Sequence, residues 1–180
     1  MDRQTGGGLW QEPLPWDFTA KVRDFLRPEV RLLDLNAGDG GYLLSLGHPL
    51  ALTGGVVWQA EDYRRCLKRL GPRGAAVRFC ENAARLPFGD GCFDVAINRQ
   101  GPCPPEEIAR VLARGGFLVT EQVGGMDARR PGAPDYNLEN QGPKFRAAGF
   151  RVISGNQAYP LLEEGSWRRG HRFLVVAKRR

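Results

Sequence analysis

Residues 30–35, VRLLDL, form an apolar run of strand length that breaks at once into NAGDGG and resumes as an apolar stretch at 42–46. A strand that passes through a glycine-rich turn into a helix is the opening half of a βαβ unit. The same rhythm continues along the chain. Residues 56–59, 75–80, 93–98 and 117–122 read as strands, and 62–70, 104–112 and 138–148 as helices. Residues 150–154 and 172–177 supply a sixth and a seventh strand. Helices of this length between strands act as crossovers, so the sheet is expected to be mainly parallel and doubly wound. The last two strands are separated by only about 17 residues without a helical pattern, which favours an antiparallel C-terminal strand.

The expected fold class is therefore α/β, a Rossmann-like seven-stranded sheet in a single domain. With 180 residues, of which 42% are apolar, the chain can bury one substantial core. Residues 16–26 read as a helix with Phe18 and Val22 on one face, closed by Pro28. Residues 1–29 are thus expected to form an N-terminal loop and helix covering the site, and 30–180 the sheet domain. No apolar run reaches the length of a membrane span, and residues 1–8 lack a signal-peptide core, so a cytoplasmic location is expected. The four cysteines contain no C-x-x-C pair and read as reduced thiols; no metal is expected.

Chemistry concentrates at the first turn, where Asp34 ends the strand and Gly38 and Gly40 allow close approach of backbone to a ligand. A tight structural turn without a ligand is the competing reading. The second strand is read as ending in Gln59-Ala60-Glu61, where an acid can accept hydrogen bonds from both hydroxyls of a ribose. The alternative is a solvated glutamate opening a helix. A dinucleotide fingerprint would need Asn36 to replace its first glycine.

Three segments carry a family resemblance: LLDLNAGDGGYLLSL (32–46), ARLPFGDGCFDVAINR (84–99) and EEIARVLARGGFLVTEQVGG (106–125). In this order they resemble the class I S-adenosylmethionine-dependent methyltransferases, over about residues 30–178. The resemblance implies S-adenosylmethionine as cofactor. It places Asp34, Asn36, Gly38 and Gly40 around the methionine part and Glu61 at the ribose. Asn82 and Ala83 would lie beside the adenine, and Asn98 would face the methyl group. Asn36 stands where the family usually has glycine, and Asn tolerates the left-handed region better than most residues. Asn82 stands where an aspartate is common, and its amide oxygen can still accept a hydrogen bond.

The implied function is methyl transfer to an unidentified acceptor, expected to be a small molecule. No side chain is an obvious base, so no catalytic residue is assigned. Asn98, Arg99 and Gln100 are candidates for the acceptor side, and Trp10, Trp16 and Tyr42 for an aromatic wall or for core packing. One alternative is a non-catalytic or degenerate protein that keeps the fold. Another is an RNA methyltransferase, to which the net charge of +6 and the basic stretches 64–73 and 168–180 would be suited.

Overall fold

Leu32 and Leu33 are fully buried, and the strand they form, β1 (Leu32–Asp34), lies between two parallel neighbours. Strands buried on both faces read as continuous apolar runs, which is why this short segment was legible as a strand. The computed structural model describes residues 11–127, 137–162, 164 and 168–180. Trp10 lies outside the described residues.

In chain order the elements are α1 (Phe18–Arg23), β1, α2 (Gly41–Leu46), β2 (Thr53–Val57), α3 (Ala60–Leu70), β3 (Ala76–Phe79), β4 (Phe93–Arg99) and α4 (Pro105–Val111). They are followed by β5 (Leu112–Val123), α5 (Leu138–Ala147), β6 (Phe150–Ala158) and β7 (Arg172–Arg179). The seven strands form one sheet in the order β3-β2-β1-β4-β5-β7-β6. The pairs from β3 through to β5 are parallel, and β7 runs antiparallel to both β5 and β6. The expected architecture, including the reversed closing strand, is observed.

Two boundaries move. The second strand occupies Thr53–Val57 and not 56–59. Its glycines conceal it from propensity, yet packing requires them. A Cβ on Gly54 would stand 2.7 Å from the Phe93 ring, and one on Gly55 would stand 3.0 Å from the Ala37 methyl. The fifth strand starts at Leu112, directly after α4, rather than beyond Gly115 and Gly116. The glycines form an irregularity in the β4 pairing between Phe93 and Val95, with Gly115 at φ +81°.

One apolar layer, with Phe145, Phe150 and Phe173, packs α4 and α5 on one sheet face; the other, with Phe18, Val22, Leu43 and Leu70, packs α1, α2 and α3. Helix α1 begins at Asp17, whose carboxylate caps the Ala20 amide at 3.0 Å. The 84–90 loop is held from α4. Glu107 accepts from the Leu86 amide at 2.7 Å, and Arg110 donates to the carbonyls of Leu86 and Phe88. Phe88 meets Phe93 edge-on at 4.9 Å, so Leu86, Pro87 and Phe88 form a packed structural loop.

Candidate functional site

The carboxyl ends of β1 and β4 meet where the order of strands reverses, and a doubly wound sheet opens a crevice there. Asp34 ends β1 with 4% of its surface exposed, and its Oδ1 accepts from the Asn36 amide at 2.9 Å. Burial pushes its carboxyl up to about 7, against the opposing pull of that amide. The loop then turns through Gly38 at φ +52° and Gly40 at φ +81°. Asn36 itself is not in the left-handed region, where Gln100 is the one non-glycine among the described residues. The loop tolerates Asn36 for a different reason than its backbone latitude. Its Nδ2 donates to the Arg99 carbonyl at 2.9 Å and ties the β1 loop to the end of β4.

Asn98, fully buried, also braces this junction. Its Nδ2 donates to the carbonyls of Gly101 and Pro102, and its Oδ1 accepts from the Gly101 amide. A Cβ on Gly101 would lie 2.6 Å from the Asn36 Cβ, so the two loops are in direct contact. Beside them Glu121, with a side chain 2% exposed near the end of β5, accepts from the Trp16 indole at 2.7 Å and from Arg99 at 3.4 Å. The Arg99 guanidinium also stands 5.6 Å from the Phe18 ring centre, and Phe18 lies 6.2 Å from the Tyr42 ring. Residues 16–23 therefore flank the crevice with aromatic rings. Burial raises the Tyr42 hydroxyl, which lies 3.2 Å from that of Thr19.

Glu121 escaped the sequence reading. Its signal was a carboxylate inside the apolar run FLVTEQV, a position that a strand interior leaves empty of charge unless something pairs with it. Trp58 escaped it as well. The residue follows β2, and its indole donates to the Leu35 carbonyl at 2.7 Å, locking the ends of β1 and β2 together.

Glu61 requires a correction of placement. Strand β2 ends at Val57, the chain turns at Gln59 (φ −115°, ψ 130°), and Glu61 sits in the first turn of α3. Its side chain is 68% exposed and pairs with Arg65 one helical turn on, at 2.5 Å. Asn82, after β3, is exposed and accepts from the Ala84 amide at 3.0 Å, closing a local turn around the half-buried Ala83. Cys80 precedes them, its thiol directed to the Asn82 carbonyl. Burial raises the Cys66 and Cys103 thiols, each to about 11, so neither is a nucleophile at neutral pH.

The β1 loop is open on the side of Gly38. A Cβ on Gly38 would meet nothing within 4 Å, whereas one on Gly40 would lie 2.8 Å from Leu70 Cδ1. Gly40 is therefore needed for packing on α3, and Gly38 faces open space. The amides of Gly38 and Asp39 find no acceptor among the described residues, whereas those of Ala37, Gly40 and Gly41 do. Two amide donors without an acceptor among the described residues, beside a buried carboxyl, are of the kind that suits a zwitterionic amino-acid group.

No family model matches the sequence, and no curated protein matches it. Solved structures match its fold. The (4+2)-cyclase SpnF shares 20% identity at a TM-score of 0.69, over 89% of this chain and 79% of its own. An S-adenosylmethionine-dependent methyltransferase from Mesorhizobium loti shares 15% at 0.66, over 89% of this chain and 96% of its own. A possible histamine N-methyltransferase from Thermotoga maritima, itself S-adenosylmethionine-dependent, shares 20% at 0.63, over 91% of this chain and 87% of its own. The chain has the class I S-adenosylmethionine-dependent methyltransferase fold.

Proposed function

We propose that the protein is an S-adenosylmethionine-dependent methyltransferase acting on a small-molecule acceptor. The observation that carries this reading is the β1 loop. Gly38 opens space above it, the Gly38 and Asp39 amides have no acceptor among the described residues, and the Asp34 carboxyl stands below. In this reading the two amides take the carboxylate of the cofactor's methionine part. Asp34 takes the ammonium, whose positive charge favours the ionised form that burial disfavours.

The cofactor, when bound, supplies an electrophilic methyl group on a sulfonium. The chain's part is to position and to exclude water, effects that are worth about 7–11 kcal/mol in favourable cases. Asn36 and Asn98 fix the junction that faces the methyl group, Arg99 and Gln100 flank the acceptor, and Trp16, Phe18 and Tyr42 form the dry wall. In this reading Asn82 and Ala83, in the turn after β3, take the adenine. The reading of the acceptor as a small molecule is supported by the activity named for the Thermotoga maritima neighbour.

A second reading, a protein that retains the fold without catalysis, is favoured by one observation. Val57 closes β2, and Glu61 faces solvent beside Arg65, so ribose recognition by a carboxylate requires Glu61 to leave that pair. Calorimetric titration with S-adenosylmethionine and with S-adenosylhomocysteine tests both readings. Micromolar binding of both supports the cofactor site. Failure of a folded protein to bind either overturns it. Retained affinity in Glu61→Ala removes Glu61 from the ribose site.

A further inference from the structure

Basic side chains without a carboxylate partner among the described residues occur at several places, Arg64 and Lys68 on α3 among them, but at one place four are adjacent. On α3, Arg65 is held by Glu61 and Asp62, and Arg69 by Asp39. Arg172 is paired with Asp127, and Arg110 with Glu107 and Asp90. Arg151, Lys178, Arg179 and Arg180 have no carboxylate partner among the described residues, and together they line a hollow of about 270 Å³. That volume lies just under the roughly 300–1,000 Å³ of pockets that take small organic ligands.

The register places this hollow far from the crevice. Strand β6 starts and β7 ends at the edge of the sheet opposite to Asp34 and Glu121, because β7 runs antiparallel to both neighbours. Arg151 and Lys178 stand directly opposite one another across the β6–β7 ladder. Like charges in that relation repel and destabilise a sheet. Lys178 is held there with its ammonium 5.3 Å from the Phe117 ring centre, and Arg179 by donation to the Leu112 carbonyl. Asp94, on the same edge, is already committed to Arg31 by a two-pronged pair, its shorter bond 2.7 Å. Protection of an edge strand accounts for one charge on β6. It does not account for Lys178 directly opposite that charge on the same face, with Arg179 and Arg180 next in the chain.

We infer that this hollow binds phosphate oxyanions carried by a polyphosphate or by a nucleic-acid backbone. Arginine forks match the paired oxygens of a phosphate, and a bound anion converts the Arg151–Lys178 repulsion into a shared attraction. This site is independent of the cofactor crevice and of whether the chain transfers methyl groups.

The test titrates the full chain with inorganic tripolyphosphate and, separately, with a short labelled single-stranded RNA at several salt concentrations. Arg151→Ala and Lys178→Gln are compared with Lys68→Ala, a change on α3 outside the hollow. The expected result is a loss of about tenfold or more in affinity in the two hollow variants and none in Lys68→Ala, with melting temperature unchanged or raised by relief of repulsion. Binding of tripolyphosphate alone identifies a free phosphorylated ligand. Binding of RNA with a steep salt slope that flattens in the variants identifies a backbone. Binding of neither ligand, or equal binding by wild type and both hollow variants, overturns the proposal.

Discussion

The Trp16 indole donates to the Glu121 carboxylate at 2.7 Å, joining residues 105 positions apart in the chain. This bond fixes the segment before α1 against the end of β5 and brings an aromatic ring to the crevice. Trp16→Phe keeps most of the ring and removes the donor. A bond to a buried charged group is worth about 1.5–3 kcal/mol, and urea unfolding should show a loss of that size. A loss below about 0.5 kcal/mol would show that Arg99 alone satisfies Glu121.

Asp34 makes stability depend on pH with an unusual sign. Its folded-state value is raised to about 7, whereas an unfolded aspartate ionises near 3.8. Between those values the folded state holds the extra proton, so the contribution of Asp34 to stability is greatest at low pH and falls as pH rises towards 7. The span of roughly three units corresponds to something on the order of 4 kcal/mol. Unfolding curves for wild type and Asp34→Asn across this window should diverge as pH rises, with the variant showing no such decline.

The two loop glycines separate packing from ligand contact. Gly40→Ala places a methyl against Leu70 in a left-handed backbone, and a loss of about 3 kcal/mol is expected from the two effects together. Gly38→Ala meets no neighbour and should cost only about 1 kcal/mol. If the cofactor lies where proposed, Gly38→Ala stays folded yet loses affinity for S-adenosylhomocysteine. Thermal melting and calorimetry on the same sample read the two effects apart.

Arg110 joins α4 to the 84–90 loop through four acceptors, the Leu86 and Phe88 carbonyls and the side chains of Glu107 and Asp90. Its side chain is 16% exposed and that of Glu107 is 15% exposed. Arg110→Ala leaves a largely enclosed carboxylate and two carbonyls without this donor, at an expected cost of about 3 kcal/mol. Arg110→Lys retains the charge without the fork and should recover less than half of that loss. Urea midpoints of the two variants measure the difference.

The sheet was legible because buried parallel strands announce themselves as apolar runs, and because their glycine-rich connections punctuate them. Thr53 to Gly55 were not legible, since the reason for glycine at Gly54 is the Phe93 ring almost forty residues later. At the crevice, Asp34, Gly38 and Gly40 stood out by type and spacing. The roles of Asn36 and Asn98 did not, because each is defined by a carbonyl in the same cross-loop junction, a partner that no spacing rule points to. Glu61 was misplaced for a local reason: the strand ended early, and an exposed helix took the acid into a pair with Arg65.

The position of β7 between β5 and β6 has a consequence for vectorial synthesis. Residues 117–123 of β5 leave the ribosome with no partner on one side, and β6 follows with none at all. Both remain open edges until residues 172–179 emerge and slot between them. The nascent chain thus spends the translation of about fifty residues with an apolar strand exposed to mispairing. Chaperone dependence should therefore be concentrated in this half of the molecule, while the half from β3 to β4 can assemble as it is made.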